Sequence, residues 1–510
     1  MVIKEEQNIN LSNKHKNLKF LRVISGILCS FLMFFSLLLL FSATWYIEYY
    51  GNTGFDSVLF TLFSNLGGVD KGLVKSFFIE SVLPAVITSG ILIFLVFFLK
   101  LNKPKFKKIK YKHKTCIALS LAFIFFIVAG TKVNIFGYIQ KLVLQTTLYE
   151  DCFVEPKSDI ITFPEEKRNL IYIFLESVEN TFMSKKEGGA LSENVIPELT
   201  TLAKENINFS NGEKIGGFLT PSGTEWTVAA MVAQTSGVPL KGSAGVLENN
   251  EYGKESFLPG VISLSDVLHE NGYKQVLMVG SDAKYANRDV YFSQHKTDHI
   301  YDYYTAQEDG IIGEDYYVWW GMEDEYLFKY AKDKLTEISK ESEPFAFTLL
   351  TVDTHFPDGF LCGLCDEEFS EQYENVLACS SRQVADFVEW LKNQEFYENT
   401  TIVICGDHLT MDNQYIERNV DKKYERTGYN CFINSVAESK NYKNRTFTSL
   451  DMFPTTLAAI GCEIEGERLG LGTNLFSEKK TLSEEMGYKE FDHKLLYSSN
   501  FYIKKFLIDK

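Results

Sequence analysis

Three long apolar stretches near the N-terminus constrain this chain more than any other feature. They run from about Val23 to Tyr46, from about Phe77 to Leu99 and from about Thr115 to Ile139. A bilayer core about 30 Å thick needs roughly 20 residues of helix to cross it. Each stretch is long enough. Inside lipid the backbone has no water to bond, so a spanning segment satisfies its own N–H and C=O groups as a helix. The first stretch is too long, and followed by too many apolar segments, for a cleaved signal peptide. Between the first two lies Val58 to Leu66, too short to span and expected at the interface.

The basic residues orient these spans, because cytoplasmic loops carry the excess of Lys and Arg. Lys4, Lys14, Lys16, Lys19 and Arg22 precede the first, and eight lysines from Lys100 to Lys114 separate the second from the third. Residues 49–75 hold only Lys71 and Lys75, balanced by Asp56 and Asp70. The N-terminus and the Lys100–Lys114 loop are therefore expected in the cytoplasm, and everything after about residue 140 outside it, in a multi-pass membrane protein. The basic loop also suits contact with anionic membrane lipid, although a topology signal alone accounts for it.

Length and charge bound the rest. At 510 residues, two or three units are expected. The reading is a membrane domain over 1–145, a linker over 146–167, a catalytic domain over 168–475 and a C-terminal extension over 476–510. The net charge is −16, with acids dominating from Glu150 onward, which argues against nucleic acid as a partner. Nine cysteines over this length are not a disulfide scaffold. Cys29, Cys116 and Cys405 lie in apolar runs and read as packed thiols. Cys362, Cys365 and Cys379 cluster in a polar loop region, where a bridge needs an oxidising compartment and its pairing stays open. Cys362-x-x-Cys365 lacks the second pair of a zinc ribbon.

Apolar runs without polar alternation read as strands buried on both faces. Four such runs end in chemistry-bearing residues. Asn169 to Leu175 leads into Glu176, Gln275 to Gly280 into Ser281 and Asp282, Ala346 to Val352 into Asp353 and His355, and Thr401 to Cys405 into Gly406, Asp407 and His408. Open α/β sheets bind ligands at that end of their strands. Helix-compatible segments lie between, at Ile196–Glu205, Val228–Thr235, Val384–Gln394 and Leu450–Ile460, with a short strand at Ile207–Phe209. The fold class is α/β, a mostly parallel sheet between helices. Thr224 follows Pro221, Ser222 and Gly223 and precedes an apolar run, as an ordinary N-cap or as part of an anion-binding helix N-terminus. Arg288 is a candidate phosphate fork or a surface ion pair, and His355 a catalytic group or a loop residue.

Glu176, Asp407 and His408 supply hard oxygen and borderline nitrogen ligands suited to Zn²⁺ or Mn²⁺. Thr224 could complete the set as an alkoxide, because a divalent cation lowers the pKa of a bound hydroxyl. Arg288 and His355 could hold phosphoryl oxygens or protonate a leaving group. That combination points to phosphoryl transfer through a phospho-threonine.

The ordered motifs Leu175-Glu176-Ser177, Pro197-Glu198-Leu199 with Asn206-Ile207-Asn208-Phe209, Gly223-Thr224-Glu225-Trp226-Thr227, Asn287-Arg288-Asp289, Asp353-Thr354-His355, Gly406-Asp407-His408 and Leu469-Gly470-Leu471-Gly472 carry a resemblance. The soluble part resembles the sulfatase-like branch of the alkaline phosphatase superfamily, and specifically the lipoteichoic acid synthase and phosphoglycerol transferase family. Gly223 to Ala233 and Asp353 to Phe360 look most like its periplasmic-glucan transferases. The resemblance implies Glu176, Asp407 and His408 as ligands of one divalent metal, Mn²⁺ with Zn²⁺ or Mg²⁺ as alternatives. It implies Thr224 as nucleophile and fourth ligand, and Arg288 and His355 as binders of the phosphoglycerol group. Lipoteichoic acid synthases space their threonine nearer Thr220, but Gly223 and the following helix favour Thr224. Val279 and Ala286 stand where those synthases carry His and Trp, which argues against a polyglycerolphosphate product. The sulfatase cysteine motif is absent, which argues against sulfate ester hydrolysis. The implied function is a membrane-anchored enzyme that moves glycerol phosphate from a phosphatidylglycerol donor to a periplasmic or cell-surface glycan acceptor, releasing diacylglycerol. The alternatives are a phosphoethanolamine transferase of the same fold and a non-catalytic membrane protein that keeps it.

Overall fold

The computed structural model describes residues 2–50, 55–63, 71–97, 111–242, 256–439 and 441–508. The chain divides into two units, Met1–Glu48 with Lys71–Gly137 and Tyr49–Asp70 with Tyr138–Lys510.

Three helices in the N-terminal part, Lys19–Tyr50, Gly72–Phe97 and Tyr111–Lys132, are long and apolar enough to cross a membrane. In the first unit the small residues Ala85, Ser89, Ala118 and Ala122 are buried between helices, alongside Met33 and Leu37. Large side chains such as Phe31, Ile91 and Phe123 face outward. Close packing of small residues is how helices associate in lipid, where apolar burial gives little drive. A π-helical turn, Phe78–Val82, stands just before Pro84, whose ring clashes with the carbonyl four residues back. The third helix stops at Lys132, short of the expected Ile139. Asn134 adopts a left-handed φ of 51°, its Oδ1 accepts a 3.3 Å bond from Gly137 N, and a separate helix, Ile135–Val143, begins. Most of the basic loop, Lys100 to Lys110, lies outside the described residues.

The short Val58–Leu66 segment differs from its expected interfacial position. Its described part belongs to the helix Phe55–Phe63, and Phe60 is buried in the α/β core, 5.9 Å from Trp226 and 6.3 Å from Phe257 between ring centroids. Ser64 to Leu66 lie outside the described residues.

The second unit is built on a six-stranded sheet. Its strands are β1 (Asn169–Leu175), β2 (Lys274–Val279), β3 (His299–Tyr301), β4 (Phe345–Leu350), β5 (Thr400–Gly406) and β6 (Asn430–Ile433). They are ordered β3-β2-β4-β1-β5-β6, and only β6 runs antiparallel. The two-residue period of β1 sends Leu170, Tyr172 and Phe174 into one core and Ile171, Ile173 and Leu175 into the other. Four helices illustrate the covering layers: α1 (Thr227–Ser236), α2 (Asp324–Ile338), α3 (Gln372–Lys392) and α4 (Met452–Ala459). α1 and α4 pack on the first face, α2 and α3 on the second. This is the α/β architecture expected, with a mostly parallel sheet between helices.

Several details differ from the sequence reading. Ile207 makes only an isolated bridge to Phe432 rather than a strand. α3 starts well before Val384, so Cys379 sits on a helix and not in a loop. Cys116 is exposed rather than packed. The stretch read as a linker pairs Ile161 with Ile464, and the C-terminal segment buries Leu482, Phe491, Tyr502 and Phe506 in the first core.

Candidate active site

The register of the two central strands builds the site. β1 and β5 run parallel with Leu175 opposite Gly406. The residues that follow, Glu176 and Asp407, therefore leave the sheet side by side. The ladder extends one step further, as Asp407 N donates to Leu175 O at 3.1 Å. Past the tip of β1 the chain turns through Ser177 in a left-handed conformation, φ 57°. Ser177 N then donates to Asp407 Oδ1 at 2.8 Å and Ser177 Oγ to Glu176 Oε1 at 2.7 Å.

Glu176, Asp407 and His408 are all buried, and each offers a ligand atom within 4.8 Å of the others. His408 Nε2 stands 3.4 Å from Asp407 Oδ2 and 3.5 Å from Glu176 Oε1. His408 Nδ1–H donates to the Leu409 carbonyl at 2.9 Å, which leaves the Nε2 lone pair facing the group. Asp407 Oδ2 is buried without a hydrogen bond. An unpaired carboxylate oxygen in such a place is costly unless a positive charge meets it. The donor set and this orphaned oxygen together fit a divalent cation.

The threonine of the group is Thr227. Its Oγ1 lies 3.1 Å from Glu176 Oε2 and 3.3 Å from His408 Nε2. The expected Thr224 is instead held in a turn. Its hydroxyl donates to Pro221 O at 2.8 Å, and Glu225 Oε2 accepts from both Gly223 N and Thr224 N. Gly223 takes φ 85° to make this turn. α1 thus starts three residues beyond Thr224, with Trp226 extended at its N-cap and Thr227 first in the helix. Thr220, the other threonine considered, has a buried hydroxyl with no partner and does not bond the group.

A second layer fixes these positions. Gln234 on α1 donates to both Gly406 O and Asp407 O at 3.0 Å, and accepts from Tyr172 on β1 at 2.8 Å. α1 is therefore tied to the tips of both central strands. Gln234 and Thr227 carry no motif of their own in a single sequence. The signal available was their spacing: seven residues, two helical turns, place both on the face of α1 toward the sheet.

Arg288 and His355 approach from neighbouring loops. Arg288 is buried and gives Nη2 to Ser281 Oγ at 2.8 Å and Asp282 O at 2.7 Å, so it is not a surface ion pair. Burial holds its pKa below the ordinary arginine value, against the opposing charges of Tyr285 and Glu176. His355 donates from Nδ1 to Phe356 O at 2.7 Å and packs at a tilt against Trp320, ring centroids 4.8 Å apart. Burial acts to raise the Glu176 pKa, but His408 and His355 outweigh it and hold Glu176 low. Burial and then Glu176 raise Asp407 above the usual carboxylate range. Burial acts to lower His408, but Asp407 and Glu176 outweigh it and raise it.

A mostly parallel α/β sheet thus gathers two carboxylates, an imidazole and a helix-start hydroxyl at its strand tips. Residues 168–462, more than half of the chain, match the sulfatase family, and the chain belongs to that family. Among curated proteins it is similar to phosphoglycerol transferase I of Escherichia coli (strain 55989 / EAEC), at 32% identity over 259 residues. That match covers 49% of this chain and 32% of the relative, so the chain matches about a third of the relative's length. Among solved structures it is similar to the lipoteichoic acid synthase LtaP from Listeria monocytogenes, at 19% identity and a TM-score of 0.49, covering 65% of this chain and 80% of that one. It is also similar to the integral membrane lipooligosaccharide phosphoethanolamine transferase A from Neisseria meningitidis, at 13% identity and a TM-score of 0.48, covering 86% and 84%.

Proposed function

We propose that the chain is a membrane-anchored phosphoglycerol transferase. It moves glycerol phosphate from phosphatidylglycerol to a periplasmic or cell-surface glycan through a phospho-Thr227 intermediate and releases diacylglycerol. The observation that carries this reading is the placement of Thr227 Oγ1 within 3.3 Å of both Glu176 and His408. The family match and the similarity to a phosphoglycerol transferase support glycerol phosphate as the group moved. The apolar helices support a lipid donor, since they keep the domain at the bilayer. The lysine distribution supports an inner-membrane protein with its N-terminus in the cytoplasm and the α/β unit outside.

Glu176, Asp407 and His408, with Thr227, would hold one divalent cation, Mn²⁺ first, with Zn²⁺ or Mg²⁺ as alternatives. A cation there lowers the pKa of a hydroxyl and balances phosphoryl charge. In the first half-reaction Thr227 Oγ bonds to phosphorus as the bond to the diacylglycerol oxygen breaks. The Thr227 proton leaves to solvent, and protonated His355 supplies the proton that diacylglycerol gains. Arg288 sets its positive charge against the phosphoryl oxygens. In the second half-reaction an acceptor hydroxyl attacks the same phosphorus and gives its proton to His355, while the bond to Thr227 Oγ breaks and Thr227 regains its proton from solvent.

The test uses the full chain in detergent with Mn²⁺ and head-group-labelled phosphatidylglycerol. Diacylglycerol should be released, and the Thr227 peptide should gain one glycerophosphoryl group. Turnover with labelled phosphatidylethanolamine instead would reassign the donor. No turnover of either lipid with any of the three metals would sink the reading.

A further inference from the structure

A second group of potential ligands lies outside the site described above. Cys362 and Cys365 stand in the loop that follows His355, and Cys379 stands on α3. Cys362 Sγ is 3.7 Å from Cys365 Sγ and 3.7 Å from Cys379 Sγ. All three sulfurs lie within 4.8 Å of one another. Cys365 N donates to Cys362 O at 3.2 Å, closing the turn that brings the first two thiols together. Cys362 and Cys379 are buried, and Cys365 is partly exposed.

We propose that Cys362, Cys365 and Cys379 form a three-thiolate site for a d¹⁰ cation of the Zn²⁺ type. The sulfur spacing is the first argument. A disulfide needs its sulfurs at about 2.05 Å, whereas corners of a tetrahedron with Zn–S bonds of about 2.3 Å lie about 3.8 Å apart. The two 3.7 Å separations match the second figure. Number is the next argument. Any one disulfide among three close cysteines leaves an odd thiol packed against the bridge. A cation uses all three and leaves one corner for water. The third argument is the outer shell. Gln383, one helical turn after Cys379, directs its side-chain N–H at Cys379 Sγ, 3.4 Å away, and at Cys362 Sγ, 3.7 Å away. Amide donors of this kind stabilise and orient thiolate ligands.

Binding exchanges up to three S–H bonds for metal–sulfur bonds and releases the protons to solvent. The site would clamp the loop carrying Asp353 to His355 onto α3. The loop already returns on itself through Phe360 N to Asp353 O at 2.7 Å. The cation would therefore act on the position of His355 without touching substrate. The proposal stands independently of the transferase reading, since sulfur ligation can be read without activity.

The test is cobalt substitution in the full-length chain, purified in detergent and stripped of metal under reducing conditions. Co²⁺ should produce a near-ultraviolet thiolate-to-cobalt charge-transfer band that saturates at one equivalent and is bleached by Zn²⁺. The band should persist in Asp407→Asn and vanish in Cys379→Ser. In unmodified chain as isolated, these three thiols should resist alkylation until a chelator is added. A spectrum without the band would overturn the proposal. So would a mapped disulfide among the three, or ready alkylation of all three without chelator. The wild-type measurements keep the proposal testable if Cys379→Ser does not fold.

Discussion

The two units treat large apolar side chains differently: the first leaves many of them exposed, although Met33 and Leu37 are buried. In the membrane-type unit Phe123 is 64% exposed and Ile27 65%, while Ala118 and Ala122 are buried. In the α/β unit Ile171, Phe174, Ile402 and Ile404 are fully buried. Water drives large apolar groups inward, whereas lipid does not distinguish them from its own tails. Buried polar groups differ as well. Among the described residues of the first unit they are small hydroxyls, Ser36, Ser81 and Ser89, and Ser89 Oγ donates to Val86 O of its own helix at 3.1 Å. In the second they include charged groups gathered at strand tips. A buried carboxylate is expensive, so the pairing of Glu176 and Asp407 at adjacent strand tips is the feature on which the proposed active site rests.

The largest expected effect tests that localisation. Thr227→Ala should lower diacylglycerol release on the order of 10⁴-fold or more, as loss of a nucleophile does, with the thermal unfolding midpoint of the chain little changed. Thr224→Ala should keep activity within a few-fold, because its hydroxyl serves a turn. If Thr224→Ala proves the inactive variant, the site is centred elsewhere and the contrast between the units loses its main support. Chelation should mimic Thr227→Ala, and Mn²⁺ should reverse it, measured by the same assay.

Next in size is a buried charge pair with no counterpart among the described residues of the membrane unit. Glu179 is fully buried, and its carboxylate accepts from Arg426 Nη2 at 2.5 Å and Nε at 2.9 Å. Glu179→Ala leaves the guanidinium without its partner and should cost about 3–5 kcal/mol. Ile404→Ala opens a cavity in the second core and should cost about 2–5 kcal/mol. Both are read as shifts in unfolding of the α/β unit. A shift under about 1 kcal/mol in each would show a core less tightly packed than its burial implies.

How much of this could be read from the sequence depended on length and continuity. β1 was legible from Asn169 to Leu175 because seven apolar or neutral residues run unbroken. Once β1 and β5 are neighbours in register, Glu176 and Asp407 must meet. β3 and β6, three and four residues long, carry too little pattern to be seen. α3 was cut short because its first turns look polar. Tyr373 and Asn375 are nevertheless buried there, Asn375 by bonding the Phe369 backbone at both its N–H and its C=O. The sequence reading preferred Thr224 to Thr220 because it expected the helix to start directly after Thr224, whereas the structure starts it at Thr227. The Glu225 carboxylate accepts from two N–H groups of the glycine turn, a local backbone detail that residue type alone does not reveal. The end of the third membrane helix was missed for a similar reason, since Asn134 turns the chain within an apolar run.

The smallest expected effects give the sharpest form of the contrast, because they come from two neighbours on one helix. Ala122 is buried among helices and Phe123 points outward. Enlarging the small residue in Ala122→Leu forces the helices apart and should cost about 1–3 kcal/mol. Truncating the large one in Phe123→Ala removes a side chain that meets solvent of the same apolarity before and after unfolding in the membrane, and should cost about 0.5 kcal/mol or less. In the water-facing logic of the α/β unit the larger penalty belongs to truncation. The measurement is steric trapping or denaturant unfolding of the full chain in bicelles, with both variants on the same background. Equal costs, or a larger cost for Phe123→Ala, would mean that Phe123 is packed against protein, and the helices would then be sorted by water like the rest of the chain.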